Sequence, residues 1–324
     1  MKDLVMQQGG SPDSPVALFI MGPTATGKTD LALSIYDELE VDLISVDSAL
    51  VFRGMDIGSA KPDAQILKRA PHHLIDIIDP AEVYSAGQFR DDALKLMRQS
   101  AENQRIPLLV GGTMLYFNAL QKGMADMPDV DDSVRRAIEH EARTKGIFAM
   151  HDRLKKVDPV SAERIHPNDP QRIKRALEVY DSTGKTLTYY WHSQEQNADK
   201  AGCPYRRIKI ALMPADRVEL RNRISLRLDN MLKQGFIEEV ETLFNRGDLQ
   251  ANMPSIRAVG YRQVWAYLAG EISYNEMREK AIIATAQLAK RQMTWLRKET
   301  ECNFIDLNAL NTQKVLKNLK ILLS

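Results

Sequence analysis

Cysteine is scarce. Only Cys203 and Cys302 occur in 324 residues, far apart and with no CxxC or Cys/His cluster near either. That excludes a structural zinc and a disulfide scaffold, and it suits a reducing cytoplasm. Charge of one sign is not in excess either: 44 Lys+Arg stand against 43 Asp+Glu, for a formal net charge of +1. An overall positive field announcing a nucleic-acid binder is excluded, so any RNA contact has to come from local patches. No apolar run approaches the roughly 20 residues that cross a bilayer, which predicts no membrane contact. The opening MKDLVMQQGGSPDSP lacks the basic start and apolar core of a signal peptide. Residues 1–15 therefore read as a frayed tail.

What is present is enough chain to bury a large core and carry an insertion. The run Ala17 to Met21 (ALFIM) leads into Gly-Pro and then Gly-Lys-Thr, after which Leu31, Ala32, Leu33 and Ile35 recur with helical spacing. That is strand, loop, helix. Leu43-Ile44-Ser45-Val46-Asp47 is a second strand ending on an acid, His73 to Ile78 reads as a third, and Ile106 to Val110 (IPLLV) is a buried strand ending in Gly111-Gly112-Thr113. Ser85 with Gln88 three positions on forms a capping box for a helix running to about Asn103. Alternating strands and helices predict an α/β fold: a P-loop NTPase-like core with a three-layer parallel sheet and its ligand at the strand C-termini.

From 124 to 200 charged helical periodicity replaces buried strands and Pro128, Pro159, Pro167 and Pro170 punctuate it, which predicts a mostly helical insertion domain. The alternating run Arg207 to Leu212 restores a strand, and helices dominate from there to the end, including one over Met277 to Lys298. The core domain thus comprises 16–123 and 201–324.

Gly22-Pro23-Thr24-Ala25-Thr26-Gly27-Lys28-Thr29 fits G-x-x-x-x-G-K-[ST] between a strand and a helix. Glycines let backbone N–H groups turn toward phosphate oxygens, the helix N-terminus favours anions, Lys28 neutralises charge and the Thr29 hydroxyl can ligate Mg²⁺. Such loops are usually nucleotide- and ATP-binding, yet any compact diphosphate satisfies the same donors. Where a nucleotide hydrolase carries an acid, the IPLLV strand ends in Gly-Gly-Thr, which weakens the ATPase reading. Asp47 shares the sheet edge of the phosphate loop and reads either as a turn cap or as an acceptor and base toward a nucleophile.

The motifs GPTATGKT (22–29), ISVDSALVFRGMDIGSAKP (44–62), PHHLIDIIDP (71–80), YSAGQFRDDA (84–93), VGGTMLY (110–116), DPQRIKRALEVY (169–180), SIRAVGYRQVW (255–265) and LAKRQMTWLR (288–297), in this order, resemble the tRNA dimethylallyltransferase (IPP transferase) family along nearly the whole chain. The resemblance implies that residues 22–29 hold the pyrophosphate of dimethylallyl diphosphate with Mg²⁺ on Thr29. It also implies that Asp47 orients N6 of a tRNA anticodon-loop adenosine or takes its proton, and that Thr113 lies beside the channel between donor and nucleotide. By the same resemblance Ser48, Ala49 and Leu50 join Asp47 at the tRNA, as do Arg135, Gln171, Arg172, Ile173, Lys174, Arg175, and Arg257, Ala258, Val259, Gly260, Tyr261, Arg262. A monomer is implied, in the short form without a zinc finger.

Arg217, Arg223 and Arg227 follow the resumed strand where related folds close over phosphates; Arg223 is favoured, against a plain solvated basic face. Lys280, Gln287, Arg291 and Lys298 stack on one face of the long helix, with Lys290 and Arg297 close by. Alone this is a solvated stripe; inside KRQMTWLR it reads as an RNA contact, while Trp295 and Tyr261 read as base-stacking or core residues. Three rival readings are a small-molecule kinase and a free-nucleotide prenyltransferase, neither of which accounts for the insertion and the QRIKR segment, and a non-catalytic RNA-binding module, against which Lys28, Thr29 and Asp47 stand.

Overall fold

A computed structural model describes residues 14–124, 127, 130–193 and 202–323, so most of the expected tail lies outside the described residues. Two compact units divide the chain. One comprises Met1–Leu120 and Cys203–Ser324, the other Gln121–Gly202.

The first unit is built on six strands, β1 (Val16–Met21), β2 (Val41–Val46), β3 (His72–His73), β4 (Ile106–Gly111), β5 (Arg206–Met213) and β6 (Cys302–Asp306), in the order β3-β2-β4-β1-β5-β6. Every pairing is parallel. A sheet covered on both faces needs apolar residues at every strand position rather than at alternate ones, which is why ALFIM and IPLLV read as continuous runs. Alternate residues divide between the faces. Leu18 and Ile20 of β1 pack with α1 (Lys28–Tyr36) through Leu31 and Ile35, whereas Phe19 and Met21 pack against Phe89 of α3 (Ala86–Glu102) and Phe117 of α4 (Met114–Lys122). The chain leaves β1 toward β2 on one side and leaves β4 toward β5 on the other. Neighbouring strands whose connections diverge open a crevice at their C-terminal ends.

Two strands differ from expectation. Only His72 and His73 pair with β2, because Leu74 and Asp76 have positive φ values of 62° and 56° that no strand accommodates. The following residues instead hydrogen-bond to Leu50 and Val51. β6 was not expected, since the single fully buried side chain in CNFID is Ile305 and five residues carry too little periodicity. α14 (Thr312–Leu323) covers it.

A third apolar cluster joins α10 (Arg217–Lys233), α11 (Phe236–Phe244), α12 (Tyr261–Leu268) and α13 (Tyr274–Leu296) to Val51, Phe52 and Met55. Arg278 of α13 grips Asp229 of α10 through two 2.7 Å bonds. The helical unit holds α5 (Asp132–Lys145), α6 (Ile147–Val157), α7 (Pro159–Arg164), α8 (Pro170–Thr183) and α9, helical over its described residues 187–193, whereas α2 (Ala64–Arg69) belongs to the first unit. The helical unit has its own core of Ile138, Met150, Leu154, Ile173 and Leu177. Buried Asp158 caps α7, accepting from Ser161 N–H and, at 2.6 Å, from the hydroxyls of Ser161 and Thr188. Among the described residues no helix is long and apolar enough to cross a membrane.

Candidate active site

The loops after β1, β2 and β4 meet at the crevice. Gly27, at φ 73°, supplies the left-handed turn from which α1 starts, a conformation that costs a residue with a Cβ free energy. The Thr26 hydroxyl and the Lys28 ammonium both donate to the carbonyl of Pro23, at 2.8 and 2.7 Å, which folds the loop over the head of α1. Thr29 is exposed in the first turn of α1.

Beside this cradle, the Asp47 carboxylate accepts the Ala49 N–H at 2.8 Å, so the turn-capping role is real. The group is half-buried, and its pKa is raised by burial, against the opposing pull of the Ala49 N–H and of Lys28. Burial likewise pushes Lys28 down to about 8, opposed by Asp47 and reinforced by Arg227. Thr113 joins the third loop to the second: its hydroxyl accepts the Ser48 N–H at 3.0 Å and donates to the Ser48 hydroxyl at 3.3 Å. The buried Tyr116 phenol, its pKa raised by burial and then by the Asp47 charge, lines the same region.

Of the three candidate arginines on α10, which also carries Arg221, Arg227 shares the field of Lys28 and Asp47, and burial lowers its pKa. Arg223 sits one turn earlier and is exposed, bonded to Glu219 at 2.9 Å, and Arg217 is exposed. Residues 223 and 227 are four apart and so share one side of α10, and helical spacing alone does not say which turn of that side lies beside the cradle.

Lys61 is a buried clasp bonded to Asp56, Asp76 and the Phe52 carbonyl. Glu239 of α11 holds the same loop, accepting the N–H groups of Asp56, Ile57 and Gly58 and the Tyr261 hydroxyl at 2.6 Å. Tyr261 is accordingly 0% exposed, so it stacks on no base. Gly260 is buried with it, Ala258 and Val259 are half-buried, and Arg257 and Arg262 point outward.

On α13, Lys290, Arg291 and Arg297 are exposed, as are Lys280, Gln287 and Lys298, and Trp295 is 40% exposed. Leu50 and Ala49 are half-buried and Ser48 exposed. In the helical unit Gln171 and Arg172 are exposed at the head of α8, Lys174 bonds Glu139 at 2.5 Å, and Arg175 lies 3.9 Å from Glu178. Ile173 is 0% exposed in that unit's core, which corrects its expected tRNA contact. Arg135 is exposed on α5, paired with Asp132 at 3.2 Å.

Gln292 was missed. Its carboxamide accepts the Thr24 N–H at 3.1 Å and donates to the Gly112 carbonyl at 2.9 Å. The only signal was an amide directly after two cations in KRQMTW.

Among the described residues no three His, Cys, Asp or Glu side chains gather in a metal-binding group. The hard donors at the cradle are the Thr29 hydroxyl and the Asp47 carboxylate, a set that fits magnesium arriving with phosphate oxygens and water rather than a protein cage.

A parallel sheet with a phosphate cradle, a neighbouring carboxylate and an inward arginine, but no acid ending β4, defines a P-loop transferase rather than a nucleotide hydrolase. The IPP transferase profile matches residues 50–299. The chain is 56% identical over 309 residues to a tRNA dimethylallyltransferase of Thioalkalivibrio sulfidiphilus, covering 95% of each. It is also 56% identical to tRNA dimethylallyltransferase 2 of Hahella chejuensis, covering 93% of each. Among solved structures, the full-length tRNA isopentenylpyrophosphate transferase of Bacillus halodurans superposes with a TM-score of 0.68 at 34% identity, over 96% of each chain. A eukaryotic dimethylallyltransferase acting on tRNA shares the fold, with a TM-score of 0.75 at 23% identity, over 91% of this chain and 74% of that one. This chain belongs to the IPP transferase family and is an enzyme that prenylates tRNA.

Proposed function

We propose that the chain transfers the dimethylallyl group of dimethylallyl diphosphate to N6 of adenosine 37 in the anticodon loop of tRNAs that read codons beginning with U. Diphosphate is released, and the enzyme works as a cytoplasmic monomer. The observation that carries the reading is the conjunction of Lys28, Asp47 and Arg227 in one electrostatic field, with Gly-Gly-Thr instead of an acid at the end of β4.

The N6 lone pair attacks C1 of the donor, the C1–O bond breaks, and its electron pair leaves on the diphosphate. Negative charge therefore grows on the leaving oxygens, where the backbone N–H groups of residues 25–29, Lys28 and Arg227 stabilise it. Asp47, at the end of β2, accepts an N6 hydrogen, which orients the amine and takes up its proton once the new bond forms. Its raised pKa makes it a better base than an ordinary carboxylate, and activity falls as pH drops through that value. Mg²⁺, held by Thr29 and diphosphate oxygens, would supply further charge neutralisation. The half-exposed Trp295 and the cations of α13, Arg257, Arg262, Arg135 and the Gln171–Arg175 segment would grip the RNA, whose target base must leave its stack.

Radiolabel moving from dimethylallyl diphosphate to tRNA in the presence of Mg²⁺ is the expected result. Asp47→Ala lowers kcat by about 10²–10⁴-fold, the range of positioned acid–base groups, with tRNA binding retained. Label moving from γ-labelled ATP to a small acceptor, with no tRNA product, overturns the reading.

A further inference from the structure

The three loops of the site are not independent. Thr24 of the phosphate loop donates its N–H to Gln292 Oε1 at 3.1 Å, and Gln292 Nε2 donates to the Gly112 carbonyl at 2.9 Å. The next residue, Thr113, receives the Ser48 N–H at 3.0 Å, and the Asp47 carboxylate folds back on Ala49 N–H at 2.8 Å. One hydrogen-bonded line therefore runs from the cradle after β1, across the turn after β4, to the carboxylate after β2. Gln292 is its only member that comes from outside the three loops. It stands on α13, where Ala289, Met293 and Leu296 are buried and fix the helix against the core.

The Gly112 position shows how closely the amide fits. A Cβ there would fall 2.4 Å from Gln292 Nε2, so glycine at 112 is what lets the carboxamide reach the loop carbonyl. Both ends of the amide are satisfied, which makes it a strut rather than a free polar group.

We infer that Gln292 is a positioning residue that sets the separation between the diphosphate cradle and the Thr113–Asp47 edge, and hence the line-up of donor C1 with the attacking amine. The inference rests on the prenyl transfer proposed above. It makes a prediction that a phosphate ligand or a packing residue does not make. The cradle's own donors remain when Gln292 is removed, so diphosphate affinity persists while the reacting atoms lose alignment.

The test is a double-mutant cycle of Gln292→Ala, Gly112→Ala and the pair, read by steady-state prenyl transfer and by calorimetric binding of inorganic pyrophosphate. Each single variant is expected to lose about ten- to hundredfold in kcat, the scale of an ångström-sized misplacement, with pyrophosphate affinity and donor KM within about threefold of wild type. The pair is expected to be no worse than the poorer single, because both changes abolish one contact. Gln292→Met, which keeps the side-chain length, stands in if the alanine variant does not fold. A kcat within about twofold of wild type in the Gln292 variant, losses that multiply in the pair, or pyrophosphate affinity falling in step with kcat each overturn the inference. A wild-type enzyme that makes no prenylated tRNA overturns the functional reading instead, so the two failures are distinguishable.

Discussion

At the residue scale, charge in the site depends on which turn of an element lies beside it. Arg227 lies in the field of Lys28 and Asp47, whereas Arg223 is held outward by Glu219. Arg227→Ala is expected to cut kcat/KM for the donor by roughly 10–100-fold, the worth of one hydrogen bond to a charged group, while Arg223→Ala stays within about twofold. Equal losses in the two variants would put the inward arginine in the wrong place.

Lys28 brings a pH signature. Its pKa is pushed down to about 8 from 10.5, so between those values the unfolded chain holds more protons than the folded one, and stability rises with pH there. Diphosphate reverses the shift, because an anion beside the ammonium favours its charged form. Pyrophosphate binding above pH 8 therefore takes up a proton and weakens as pH rises. Calorimetry at pH 9 in buffers of different ionisation enthalpy should show greater proton uptake in wild type than in Lys28→Arg, the ligand's own ionisation being common to both. The lysine and its loop were legible from spacing, and so was Asp47. The burial of Tyr261 and Ile173 was not, since a motif string carries no information on which of its members face the core.

At the element scale, local rules were sufficient where one element needed nothing from another. The Ser85–Gln88 capping box forms at the start of α3, and α13 starts from a second one at Ser273 and Glu276. Where tertiary partners decide, local pattern misled: the expected third strand over 73–78 became a two-residue strand and a loop clasped by Lys61. The loop at residues 56–58, on the other side of the Lys61 clasp, gains its shape from Glu239, whose carboxylate accepts three backbone N–H groups and a phenol. Glu239→Gln turns an acceptor-only group into one with an NH₂ facing donors. A loss of about 1–3 kcal/mol in stability is expected, with faster hydrogen exchange at residues 56–58. Unchanged exchange there would mean that Lys61 alone holds the loop.

At the scale of the whole molecule, a net charge of +1 leaves RNA affinity to local cations. Removing Lys290, Arg291 and Arg297 together should flatten the dependence of log Kd on log salt by about two, near 0.7 for each lost phosphate contact. A slope that does not change would move the RNA off α13. The sequence by itself determined the family, the parallel α/β core, the phosphate loop and the acid after β2, because each depends on contiguous residues whose spacing is the chemistry. Only the tertiary structure decided that Arg227 rather than Arg223 lies beside Lys28 and Asp47, that Lys61 and Tyr261 are structural, and that Gln292 bridges two loops. Those roles depend on contacts between residues far apart in the chain, 268 positions for Thr24 and Gln292, and such contacts leave no periodic mark.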